Sequence, residues 1–417
     1  MKSNHVFVFG RWLLLTLLMV LAVSVSAQDA STRILKVGLN APVQLDPHLS
    51  TNDSEIMFNR AIYESLLNTL PDNSLELALA QSMDVSDDGL TYTLTLREGI
   101  TFHDGSTFEA ADVVYSFERL IEIGSPARNL LGFYRVTAVD PRTVQFTLDQ
   151  PNADFGYGLA SRWSVILNEG AEPGALVEGE NPYANFNGTG AFVLTDYRPG
   201  ERAVFTANPQ YWVAAPLVNG LELVFIEDPV AQANALIAGE VDFIFKVPVE
   251  QLPALEASGN VTVLERATNQ HAAIRLRTDE GFAGADPNIR RAVELAIDRD
   301  ELNDVVTDGR GVVGNNDPIG PAFGPFYDDS IEKPQYDPEA ACALIAESGL
   351  DRLALEFYVP DALGYPTMAT VMRDQMAEAC IDIEIFVRPE NIYYSENEYL
   401  DVEFGLTGWG DRPTPQQ

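Results

Sequence analysis

Few residues in this chain have the type and spacing that chemistry needs. Among 417 residues there are four histidines, His5, His48, His103 and His271, and they lie far apart. No HExxH, CxxC, phosphate-loop or GxSxG pattern occurs, so the spacings that set paired ligands or an activated nucleophile on one face are missing. His103-Asp104 offers half of an acid/base arrangement or a metal pair. A loop histidine bonded locally beside a turn accounts for the same two residues. The 62 Asp and Glu residues leave room for a carboxylate dyad of the kind glycosidases use, so a secreted hydrolase working through a carboxylate pair stands as the enzymatic alternative. No pair is singled out, and no catalytic residue, metal ligand or cofactor site is assigned. The aromatics Tyr393, Tyr394, Tyr399, Phe404 and Trp409 crowd the end of the chain beside Gly405, Gly408 and Gly410. They read either as core plugs or as the stacking surface of a ligand cleft.

The elements that would position these residues follow from hydrophobic period and turn chemistry. Ile34–Leu39 reads as a first strand and Leu45-Asp46-Pro47-His48 as a turn. Helical spacing covers Ser54–Leu70. Leu90–Leu96 and Thr143–Leu148 alternate apolar and polar residues, as half-buried strands do. After the loop Arg97–Gly105, Ser106 and Glu109 stand in capping-box spacing before an apolar stripe at Ala110, Val113, Val114, Phe117, Leu120 and Ile121. The stretch Asn187–Trp212 reads as loop, strand, turn at Pro199-Gly200, strand, loop. Gly188 and Gly190 there suit backbone conformations closed to other residues. Three helices announce themselves by an Asp N-cap followed by Pro, at Asp228-Pro229, Asp286-Pro287 and Asp337-Pro338. The first gives way to a strand at Val241–Phe245. Strands at Leu353–Val359 and Ile381–Val387 flank a helix at Thr367–Ala379. The alternation over 220–390 marks an α/β layered fold.

Composition limits the partners. Against 26 Lys plus Arg, the 62 acids leave a net charge of −36, which argues against nucleic acid and against anionic lipid surfaces. Residues 1–27 read as a secretory signal: Lys2 and Arg11 precede the apolar run Trp12–Val23, and Val25-Ser26-Ala27 supplies small residues for cleavage. That run is too short to span a bilayer, and no cysteine sits at the cut to take a lipid. The expected mature chain is soluble and periplasmic or extracellular. In that oxidising setting Cys342 and Cys380 are either bonded or two buried thiols.

Taken together the segments resemble the family 5 extracellular solute-binding proteins of ABC importers, the peptide- and nickel-binding group. The resemblance rests on LDPH at Leu45–His48, LREGITFHDGSTFEAADVVYSFERL at Leu96–Leu120 and GTGAFVLTDYRPGERAVFTANPQYW at Gly188–Trp212. It continues through AGEVD at Ala238–Asp242 leading to Val247-Pro248, RRAVELAIDRDEL at Arg290–Leu302 and LTGWG at Leu406–Gly410. The motifs come in the family's order and cover nearly the whole mature chain.

The resemblance implies an α/β, two-lobed periplasmic-binding-protein-like fold with an inserted third subdomain, closing by a hinge over a solute. Lobe I would comprise 28–47 and 187–266, the inserted subdomain 48–186 and lobe II 267–417, with the C-terminal part of lobe II missing. It implies a non-enzymatic, monomeric receptor that hands a peptide or other small solute to the permease subunits. Ligand contacts would come from Asn52 and Asp53, from the loop near Ser125–Asn129, from Phe245 and Lys246 at the crossover, and from Trp409 with Asp411 and Arg412. Peptide binders of the family carry an aspartate three residues after the tryptophan to take the peptide's amino group. Here Arg412 holds that place and Asp411 the one before. A guanidinium donates only and suits a carboxylate or phosphate, so either the loop shifts to let Asp411 do the work or the solute is not a peptide bound by its N-terminus.

Overall fold

The computed structural model describes residues 33–410 apart from 180, 267, 363 and 395–399. The expected signal segment, Tyr399, Asp411 and Arg412 lie outside the described residues.

The chain opens with β1 (Ile34–Leu39) and a 3-10 turn at Pro47–Leu49, followed by α1 (Asp53–Ile62) and a short hairpin, β2 (Leu67–Thr69) with β3 (Leu75–Leu77). Next come β4 (Ala80–Val85), β5 (Thr91–Leu96), α2 (Ala110–Glu122), α3 (Arg128–Leu131), β6 (Tyr134–Asp140), β7 (Thr143–Leu148) and α4 (Phe155–Leu159). The middle of the chain supplies β8 (Phe192–Arg198), β9 (Arg202–Ala207), β10 (Gly220–Phe225), α5 (Pro229–Ala238), β11 (Phe243–Ile244) and α6 (Leu252–Ser258). The remainder supplies β12 (His271–Leu276), α7 (Pro287–Leu295), α8 (Arg299–Thr307), α9 (Pro338–Glu347), β13 (Leu353–Pro360), α10 (Tyr365–Glu378), β14 (Ile381–Arg388), α11 (Glu390–Tyr393) and β15 (Phe404–Trp409).

Three larger sheets result. In the order β11-β1-β10-β9-β8, the early strand β1 lies parallel to both β10 and β11, and β8–β10 form an antiparallel meander. Leu39, Leu194, Phe205 and Leu223 from this sheet pack with Phe58 and Ile62 of α1. The sheet β4-β5-β7-β6 is wholly antiparallel. Its alternating residues Leu94, Leu96, Val144 and Phe146 meet Val113, Phe117 and Leu120 of α2 in a second core. The sheet β12-β15-β13-β14 is mixed, with β13 parallel to β14 and to β15 and with β12 antiparallel to β15. It packs on α7, α9 and α10 through Phe357, Ile381, Ala341, Met372 and Phe404. A disulfide joins Cys342 on α9 to Cys380 at the turn into β14.

All three Asp-Pro helix starts occur as the sequence predicts: Asp228, Asp286 and Asp337 each accept a hydrogen bond from the first turn, with Pro at the first helical position. Four details differ. Helix α1 ends at Ile62, because Tyr63 turns extended and the apolar residues Leu66 and Leu67 enter a hairpin. Apolar pairs at that spacing satisfy helix and strand alike. Ser106 lies outside α2, its hydroxyl given to Asp104, and the helix is capped by Asp112, whose carboxylate accepts the Glu109 N–H at 2.8 Å. The strand at 241–245 is reduced to Phe243–Ile244, and Asp242 just before it is tied to β1 by its N–H, which donates to the Lys36 carbonyl, and by its carboxylate, which accepts the Lys36 N–H. Gly188 and Gly190 have no positive φ. What they provide is space: a Cβ at Gly188 would stand 2.1 Å from the Ile62 carbonyl oxygen, and one at Gly190 2.6 Å from it.

Candidate functional site

Helix α1 starts where Asn52 accepts the Glu55 N–H at 3.0 Å, and Glu55, fully buried, returns its carboxylate to the backbone of Thr51. This reciprocal box fixes the first turn, and it commits the Asn52 side-chain oxygen to the backbone. Asp53, the next residue, points outward with 43 % of its side chain exposed. Its carboxylate pairs with the ammonium of Lys246. Lys246 follows β11 and has a left-handed backbone, φ 56°, a conformation uncommon for residues other than glycine, asparagine and aspartate. Phe245 beside it is half-buried against the core of the first sheet. Two of the sequence-predicted positions, far apart along the chain, therefore meet in one half-exposed ion pair.

Trp409 closes β15 opposite His271, with 48 % of its surface exposed. The aromatic cluster divides. Tyr393 and Phe404 are buried plugs, and Tyr394 and Trp409 face out. The neighbouring glycines let the plugs in: a Cβ at Gly405 would lie 2.7 Å from the Tyr393 hydroxyl, and one at Gly408 2.3 Å from that of Tyr365. Ser125, from the loop expected to touch solute, is buried and gives its hydroxyl to the His48 carbonyl at 2.6 Å. Asn129 of the same loop is exposed.

The remaining motif residues serve as scaffold. Arg119 holds Asp46 through two nitrogens at 3.1 and 2.5 Å and also reaches His48 Nδ1 at 3.1 Å, so the LDPH turn is bolted to α2. His48 is fully buried, with Nε2 3.0 Å from the Val165 carbonyl. Burial lowers its pKa to about 4, the Arg119 charge pushes the same way, and the Val165 bond and Asp46 act against them. The ring is thus neutral, donating from Nε2 and accepting at Nδ1. His103 lies 3.0 Å from the Gly190 carbonyl and donates its own N–H to that of Gly188. Its pKa is lowered, chiefly by burial. Asp104 turns to Ser106. No cluster of three or more His, Cys, Asp or Glu suited to a metal occurs among the described residues.

One hub has no signal in the sequence. The carboxylate of Glu64 accepts hydrogen bonds from Thr189, Tyr211 and Trp212, each at 2.8 Å. Burial raises its pKa against the effect of these bonds and of Arg60. The Gly-Thr-Gly loop and the Tyr-Trp pair that bracket the β8–β9 hairpin are tied to α1 through this one acid. It is one acid among 62, with no spacing to mark it.

The fold is not peculiar to this chain. Residues 74–417 match the bacterial extracellular solute-binding proteins, family 5. The chain is 32 % identical over 374 residues to di/tripeptide-binding protein 2 of Pseudomonas aeruginosa, spanning 82 % of this chain and 68 % of that one. It is 30 % identical over 373 residues to heme-binding protein A of Haemophilus influenzae, spanning 82 % and 67 %. In fold it is similar to the periplasmic binding protein DppA from Helicobacter pylori, solved with peptide STSA, at a TM-score of 0.74 and 24 % identity, over 91 % of this chain and 78 % of that one. These are extracytoplasmic binding components of transporters, two-lobed in architecture. The chain belongs to the family 5 solute-binding proteins of ABC importers. Members of this family bind a solute without converting it, so the protein is a receptor and the hydrolase alternative falls. Among the described residues no helix is long and apolar enough to cross a membrane.

Proposed function

We propose that this chain captures a peptide or similarly sized polar solute between its lobes outside the cytoplasm, as a monomer, and presents it to the permease of an ABC importer. Lobe I consists of 28–47 and 187–266, residues 48–186 form the inserted subdomain, and 267–417 belong to lobe II. The sheets support this division, since β1 joins β8–β11 while 80–148 and 271–409 build sheets of their own. Residues 1–27 are the export signal.

The observation that carries the site is the Asp53–Lys246 pair. Opposite charges left half in water can exchange their mutual contact for the two ends of a zwitterion, the ammonium at Asp53 and the carboxylate at Lys246. Phe245 and Trp409 offer apolar and aromatic surface for the side chains, and Asn52 holds the turn that aims Asp53. Asp411 and Arg412 complete the set beyond the described strand. A binding-competent closed state is favoured by solute only through such differential contacts.

A panel of di- and tripeptides tested by calorimetry and native mass spectrometry checks the reading. One-to-one binding with intact peptide recovered is the expected result. Cleaved peptide would return the hydrolase, and wild-type affinity in Asp53→Ala and Lys246→Ala variants would remove the site.

A further inference from the structure

Away from the Asp53–Lys246 pair, a recess of about 480 Å³ opens beside the edge strand β12. Its floor is apolar, with Ile274 and Leu276 of β12 and Pro287 and Val293 from α7. Its rim carries Arg290, Arg291 and Arg299. In a chain with net charge −36, three guanidinium groups on one recess are out of character with the surface as a whole.

Their partners are unequal. Arg290 donates to the Gly284 and Ala285 carbonyls and acts on Asp286. Arg291 pairs with Glu294, whose other oxygen takes the Asn316 amide. Arg299 gives Nη2 to the Asn316 oxygen at 2.6 Å. Its Nη1, although buried, has no hydrogen-bond partner. A desolvated N–H of a permanent cation is costly to leave unmade. The one carboxylate on the rim, Glu294, is already shared between Arg291 and Asn316. The recess therefore sets a cation with one unsatisfied, buried donor beside an apolar lining, within the size range of small-molecule pockets.

We infer that this recess binds a small amphiphilic carboxylate, its head on Arg299 and Arg291 and its hydrocarbon on Ile274, Leu276 and Val293. The site is separate from the solute site proposed above and does not depend on it. A carboxylate accepts from two guanidinium forks at once, and its short tail covers the apolar floor.

Octanoate is the probe, titrated into the full chain by calorimetry, with the methyl resonance of Ile274 reporting the location. Saturable one-to-one binding that shifts the Ile274 methyl is expected. Octanol, which keeps the tail without the charge, and inorganic phosphate, which keeps a charge without the tail, bind at least about tenfold more weakly. Arg299→Gln weakens octanoate by about tenfold or more, while Glu294→Gln removes the competing carboxylate and tightens it. Because the two changes move the affinity in opposite directions, a folding defect in one variant cannot imitate the pair. Absence of saturable octanoate binding, no shift at Ile274, octanol or phosphate equal to octanoate, or unchanged affinity in both variants would each overturn the inference.

Discussion

Asp53 and Lys246 form an ion pair between the first turn of α1 and the second residue past β11, although each side chain remains about half in water. A pair this exposed contributes about 1 kcal/mol or less to stability. Its consequence should lie in binding. Lys246→Met and Asp53→Asn are expected to leave the melting temperature within about 2 °C of the parent while weakening peptide binding at least tenfold, roughly 1.4 kcal/mol. Calorimetry beside thermal melts separates the two effects. A large fall in melting temperature with unchanged affinity would make the pair structural.

The Glu64 hub predicts the converse behaviour. Glu64→Ala strands the donors of Thr189, Tyr211 and Trp212, and is expected to cost about 3 kcal/mol or more. Its pH dependence has a definite sign. Burial raises the folded pKa above the usual 4.5, so the folded state binds more protons than the unfolded one between those two values. Relative to a Glu64→Gln variant, stability should therefore be higher in acid and fall as pH rises through the raised pKa. Urea denaturation across that range tests it.

His48 acts in the opposite direction. Its folded pKa of about 4 lies below the ordinary 6.5, so the unfolded chain takes up the proton first. The neutral buried ring contributes its full stability above pH 6.5, and that contribution is lost as pH falls towards 4. The loss amounts to about 3 kcal/mol. A His48→Gln variant should show a shallower decline over the same interval. Equal slopes would show that the ring protonates without leaving its site.

Gly188→Ala tests close approach against backbone freedom. The new methyl would meet the Ile62 carbonyl at 2.1 Å, and the expected cost is above 2 kcal/mol. At Gly200, by contrast, φ is 73° and nothing lies within 4 Å, so Gly200→Ala should cost about 1 kcal/mol. Similar costs at the two positions would mean that the 188–190 loop can back away from α1.

Much of the fold was legible because its signals are local. The alternation in Thr91–Leu96 and Thr143–Leu148 and the Asp-Pro starts of α5, α7 and α9 each act within a few residues, and the elements follow them closely. Misreadings arose where a distant partner decides. Nothing near Gly188 says that Ile62 will press against it, and nothing near Leu66 says that a hairpin will claim it from α1. The candidate site was legible only through resemblance. Asp53 and Lys246 are singled out by their places beside the LDPH and AGEVD motifs, but their mutual contact is a fact of three dimensions. Glu64 carries no motif signal, and Arg299, although it lies within RRAVELAIDRDEL, has no spacing that marks its side chain; in both, burial and the partners left over after folding are what stand out.

The placement of β1 has a consequence for the order in which the molecule assembles. Among the described residues this first strand pairs with β10 and β11, so its sheet cannot close until residues 220–244 are available. The sheet of β4–β7 needs nothing beyond residue 148. Contacts so distant along the chain make for slow closure. A chain emerging from its N-terminus would thus complete the β4–β7 ladder in its middle while its own leading strand stayed unpaired.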